Sequence, residues 1–158
     1  MKMKVPVQAL LLMATALCTV HAAEQTCPWM NAATAGGILE GQARATVTKM
    51  GDDATCEFTR QNSKDKLRIE VVMMGTARSE LAAYKAECIG PAAPLPAIGT
   101  DAVACGIQTK NGEAAEQIAG RVRKQAFLIR VTADVTSPRE ALRERAQKAA
   151  EQVAGNLF

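Results

Sequence analysis

The side chains that carry most enzymatic proton and group transfer are few in this chain and unevenly placed. Its one histidine, His21, and one of its five cysteines, Cys18, fall within the first 22 residues. That stretch has the layout of a secretory signal peptide. Lys2 and Lys4 form a basic start, Ala9 to Leu17 an apolar run, and Val20 and Ala22 put small residues before a cleavage expected after Ala22. The run is well short of the roughly 20 residues that span a bilayer. Leu17 is bulky where a lipoprotein signal carries a small residue before an acylated cysteine, so lipidation of Cys18 is not expected. The expectation is an exported protein, periplasmic or secreted, comprising residues 23–158, with no transmembrane segment after processing and no histidine. Ser/His/Asp and Cys/His nucleophile systems and H-E-x-x-H metal sites then fall away together, because imidazole is the proton carrier or ligand in each.

Loss of Cys18 leaves Cys27, Cys56, Cys88 and Cys105, an even set that reads as two disulfides in an oxidising compartment. Four cysteines allow three connectivities. An internal echo favours one of them: Gly51-Asp52-Asp53-Ala54-Thr55-Cys56 and Gly99-Thr100-Asp101-Ala102-Val103-Ala104-Cys105 both run from glycine through an acid and small residues to a strand cysteine. Pairing each strand cysteine with the helix-associated cysteine before it gives Cys27 with Cys56 and Cys88 with Cys105. No C-x-x-C pair suggests redox catalysis, and bonded cysteines leave none for a zinc site.

Carboxylates remain as acid, base or metal groups: Asp52, Asp53, Glu57, Asp65, Asp101 and Asp134. Catalysis by two of them needs a shared cleft and separated pKa values, whereas aspartates in turns commonly accept hydrogen bonds from the local backbone. No D-x-D-x-D-G calcium loop accompanies them. Ser63-Lys64-Asp65-Lys66 matches the S-x-x-K nucleophile pattern, but it lies in a polar loop without S-D-N or K-T-G partners and is read as coincidence. Gly36, Gly37 and Gly41 are too sparse for a phosphate cradle. Neither a cofactor nor a metal is expected.

The pattern carried forward is basic. On strand spacing Arg121 and Arg123 share a face, Arg130 lies opposite Phe127, Ile129 and Val131, and Arg68 lies opposite Leu67, Ile69 and Val71. Four arginines on one outer sheet face would suit an anionic envelope component, an acidic protein or a carboxylate ligand. The plainer expectation is a solvated face with Glu70 and Glu116 as ion-pair partners. Only 3% of residues are aromatic, and removing Lys2 and Lys4 leaves seventeen cations against sixteen anions, so no nucleic-acid partner is expected.

These residues must be positioned by helices and strands whose signals differ in clarity. Asn31 caps a short helix that ends near Gly41. Residues 43–50 and 54–60 suit a hairpin, and Leu67, Ile69, Val71 and Met73 alternate through a third strand. A second helix starts at Thr76 with Leu81, Tyr84 and Cys88 on one face, closed by Gly90-Pro91; Pro91 to Pro96 reads as an extended crossover. Strands are expected over 101–108, 116–123 and 126–132, with Asn111-Gly112 as a turn. Ser137-Pro138-Arg139-Glu140 has the form of a capping box before a last helix striped by Leu142, Ala146, Ala149, Val153 and Leu157. The order αβββαβββα implies an α+β fold, a largely antiparallel sheet covered by helices, and the echo suggests two similar halves.

Cys27-Pro28-Trp29-Met30-Asn31-Ala32-Ala33-Thr34-Ala35-Gly36-Gly37-Ile38-Leu39-Glu40-Gly41, the strand with Cys56-Glu57-Phe58, Leu95-Pro96-Ala97-Ile98-Gly99-Thr100-Asp101-Ala102 and the alanine-rich last helix resemble small bacterial exported proteins and lipoproteins of unknown function. Several of those look similar to the PsbP/Mog1-like α/β/α sandwich. The resemblance implies an envelope location and that fold, and it assigns no activity. The functional expectation is a non-enzymatic exported binding or interaction domain for an envelope component or protein. The alternative is an Asp/Glu-dependent hydrolase acting on cell-envelope material.

Overall fold

A computed structural model describes residues 26–50, 53–73 and 75–158. The expected leader, with Cys18 and His21, and the turn residue Asp52 lie outside the described residues. The elements run α1 (Ala32–Leu39), β1 (Ala43–Met50), β2 (Asp53–Arg60), β3 (Lys66–Val72), α2 (Ala77–Ala86), β4 (Cys88–Pro94), β5 (Thr100–Gln108), β6 (Ala114–Val122), β7 (Gln125–Ala133) and α3 (Arg139–Leu157). The strands form one seven-stranded sheet in the order β1-β2-β3-β7-β6-β5-β4, and every neighbouring pair is antiparallel. The α+β class and the two disulfides agree with expectation. The element order differs by one strand, so the halves are unequal, with three strands before α2 and four after it.

The extra strand is β4, where the prolines suggested a crossover without a partner. It pairs with β5 through Cys88↔Ile107, Ile89↔Gly106, Ala93↔Ala104 and Pro94↔Val103, with a register shift between Ile89 and Ala93. An edge strand tolerates Pro91 and Pro94 because one side of its backbone faces no neighbour. Gly90, at φ +76°, takes up the bulge. Accordingly α2 stops at Ala86, and Cys88 belongs to a strand and not to the helix face on which its spacing placed it.

Parity along β6 and β7 defines the two faces of the sheet. Phe127, Ile129 and Val131 with Ile118 and Val122 join the main core, together with Phe58, Leu67, Ile69 and the buried stripe of α3. Each large side chain buried this fully contributes about 1.5–3 kcal/mol relative to exposure. The expected stripe Leu142, Ala146, Ala149, Val153 and Leu157 is buried throughout, and its alanines let α3 lie close to the strands. α1 packs on β1 and touches α3, so both helices cover this face. The opposite parity, Ala119, Ala126 and Leu128, packs under Ala77, Leu81 and Tyr84 of α2. The ten-residue α2 is the only helix among the described residues on that second face.

Local signals account for most helix ends. The Asn31 side chain accepts a hydrogen bond from the Thr34 amide at 2.8 Å, as its cap role requires. The left-handed residue that ends α1 is Glu40, φ 58°. Gly41 has a different role: a Cβ there would lie 2.8 Å from Arg60 Cδ, so a larger residue would push the Arg60 side chain aside. At α3 the expected capping box does not form. The helix begins at Arg139 behind Pro138 with no side-chain cap, and the Asp134 carboxylate instead accepts from the Thr136 amide and hydroxyl. Those two donors hold the Asp134 carboxyl below its ordinary range.

Candidate binding face

Both disulfides form with the pairing the echo favoured. Cys27–Cys56 ties the segment before α1 to the middle of β2, and Cys88–Cys105 ties the edge strand β4 to β5. With Cys27 8% exposed and Cys56 fully buried, the first bridge is part of the main core.

The carboxylates singled out in the sequence do not converge. Asp53 Oδ1 accepts from the Met73 amide at 2.8 Å, joining the ends of β2 and β3. Asp65 is buried between Arg60 (2.8 Å) and Arg145 (3.5 Å), and Arg145 also binds Glu40 at 2.7 Å. This network fastens the β2–β3 loop and α1 to α3. Ser63 belongs to it too, its Oγ accepting from Arg60 Nη2 and the Asp65 amide, which is a turn role and not that of a nucleophile. Asp101 pairs with Arg121 at 3.4 Å, and Glu57 with Lys66 at 3.7 Å. Among the described residues no three or more acids and cysteines are grouped as metal ligands.

The arginines separate. Arg123 is not on a strand: it sits at φ 52° in the two-residue turn between β6 and β7. Arg68, Arg121 and Arg130 do share the α2 face, since Arg130 stands opposite both Arg68 and Gln117, and Gln117 and Arg121 have the same parity on β6. Yet α2 lies over Ala119 and Leu128 between them, so Arg121 is at one end of the face, with Asp101, while Arg68 and Arg130 flank the other. Of the expected acidic partners, Glu70 does bind Arg68. Glu116 points to the opposite face, where it is fully buried and paired with Arg143 of α3 at 3.3 Å.

What the sequence reading missed is how Arg68 and Arg130 are held. They are register partners on the adjacent strands β3 and β7, an arrangement of like charges that is destabilising by itself. Each is compensated by a carboxylate positioned by α2. The Tyr84 hydroxyl donates to Glu70 Oε2 at 3.2 Å, while Glu70 Oε1 receives Arg68. Glu87, the residue that caps α2, binds Arg130 directly. Gln117, 1% exposed, completes the set: its Nε2 donates to the Tyr84 carbonyl at 2.6 Å and its Oε1 accepts from Arg130 Nη2 at 3.1 Å. Burial, with Glu70 alongside, holds the Tyr84 phenol well above its ordinary value of 10.0. The polarity of Gln117, directly before Ile118, Ala119 and Gly120, was the available signal; its partners depend on pairings no local pattern states.

Beside this pair the sheet face is open, forming a groove of about 750 Å³ between the C-terminal end of α2 and the β5–β6 turn, lined by charged side chains together with Ile89 and Ile107. The arrangement can present two guanidinium groups to an anion, and it brings no nucleophile and base together. No protein-family model, curated protein or solved structure matches the chain.

Proposed function

We propose that this protein is an exported, non-enzymatic binding domain whose interaction face is the open end of the sheet around Arg68 and Arg130. One observation carries the reading. Two guanidinium groups stand opposite each other on central strands, an arrangement that costs stability, and a buried glutamine, a tyrosine and two acids fix their positions. Side chains held this way meet a ligand with little further loss of conformational freedom. Two disulfides fit an oxidising compartment, and no helix among the described residues is long and apolar enough to cross a membrane.

A thermal-shift screen of the protein against envelope glycans, lipids and anionic metabolites tests this, because a ligand of the native state raises the melting temperature. The expected result is a ligand that stabilises the parent protein and leaves an Arg68→Gln/Arg130→Gln variant unmoved. Equal shifts in both proteins would place binding elsewhere.

A further inference from the structure

The two acids on the arginine pair are not held alike. Glu70 is fixed from two sides, by Arg68 and by the Tyr84 hydroxyl, and its side chain is 19% exposed. Glu87 has Arg130 as its one partner among the described residues, and half of its side chain is exposed. Arg130 is in turn incompletely used. Its Nη2 donates to both Glu87 and Gln117, while its Nε is closed off from solvent with no partner. Glu87 therefore makes a single-nitrogen contact where a carboxylate and a guanidinium can form two parallel bonds.

Charge balance limits what can enter. Lys66, Arg68, Lys110 and Arg130 line the groove, and Glu57, Glu87 and Glu113 line it with them, with Glu70 behind Arg68. Four cations thus meet four acids. An anion joining this neutral set gains most where it replaces a resident acid, and of the two acids on the arginines Glu87 is the less restrained.

We propose that Glu87 is an internal stand-in for a ligand carboxylate, which takes its place on Arg130 when the Glu87 side chain turns out to solvent. This rests on the Arg68–Arg130 face being the binding face. The backbone there is anchored: the next residue, Cys88, is bonded to Cys105, and Gln117 holds the Tyr84 carbonyl. The exchange is then a rotation of one side chain. Thr132, two residues along β7 from Arg130 and on the same face of the sheet, offers a neutral hydrogen-bonding group on the groove wall, which suits hydroxyls. The ligand class is an acidic sugar, a uronic acid residue whose carboxylate meets Arg130.

The test is calorimetric titration of the protein and of its Glu87→Gln and Arg130→Gln variants with a galacturonate trisaccharide, and with a neutral galactose trisaccharide as control. Glu87→Gln should bind the acidic sugar about fivefold more tightly, as expected for losing one half-exposed competing ion pair. Arg130→Gln should lose binding, and the neutral sugar should not bind. Unchanged or weaker binding by Glu87→Gln overturns the exchange. Failure of galacturonate on both the parent and Glu87→Gln, or a poly-glutamate peptide binding in its place, overturns the sugar class. The two readings fail separately. A ligand from the thermal screen that needs Arg68 and Arg130 but ignores Glu87→Gln leaves the face standing and removes the exchange. Ligands indifferent to Arg68→Gln/Arg130→Gln remove the face itself.

Discussion

Replacing Cys27 and Cys56 together by alanine asks how the first helix is held to the sheet. The bridge closes a loop of residues 29 apart, and the chain-entropy relation assigns such a loop about 3.6 kcal/mol of stability at 25 °C. What else fastens this corner is modest: the buried Ala35, Gly36 and Leu39 of α1, a 2.7 Å bond from Asn156 Nδ2 to the Trp29 carbonyl, and the Arg60–Asp65–Arg145 network near Glu40. Urea unfolding followed by circular dichroism should show the double variant losing about 3–4 kcal/mol. Because the cross-link acts largely by restricting the unfolded chain, the denaturant slope should rise when it is removed. A loss below about 1 kcal/mol with an unchanged slope would refute the reasoning, since packing alone would then be holding α1 in place.

Four further outcomes are open to measurement. Gly120→Ala should cost about 1–3 kcal/mol in the same urea assay, because the new Cβ would lie 2.7 Å from Phe127 Cζ and 2.9 Å from Ala102 Cβ; an unchanged midpoint would mean that the aromatic ring yields freely. Tyr84 has a folded pKa raised above its unfolded value of 10.0, so its stabilising contribution is complete below that pH and is lost as pH rises past it. Tyr84→Phe should flatten the alkaline fall in melting temperature above about pH 10, and an identical fall in both proteins would contradict this. At the helix starts, Asn31→Ala should cost about 1 kcal/mol, because Asn31 caps α1. Ser137→Ala should stay within about 0.5 kcal/mol, because no side chain caps α3; a large loss from Ser137→Ala would show the capping box to exist after all.

Where polar and apolar residues alternate, or where a stripe recurs at helical spacing, the residues themselves contained the answer. Leu67, Ile69 and Val71 turn inward on β3, and Leu142 through Leu157 line α3, because periodicity requires no knowledge of partners. The cysteine pairing was legible for another reason, an echo placing two strand cysteines in comparable surroundings. Arg68 and Arg130 could be put on outer faces of their own strands, while whether those strands were neighbours could not.

Pairing decided the rest. β4 is a strand because β5 offers it an edge, despite two prolines and a glycine that locally favour irregular chain. Arg123 became a turn residue, and Glu116 was buried against Arg143, through the register of β6 with its neighbours and the placement of α3. Glu87 reaches Arg130, 43 positions further along the chain, only because α2 ends over β6 and β7. Periodicity is a property of consecutive residues and is present before folding. Contacts such as Glu87 with Arg130 are set by which strands lie side by side, and that choice is made by the collapse of the whole core.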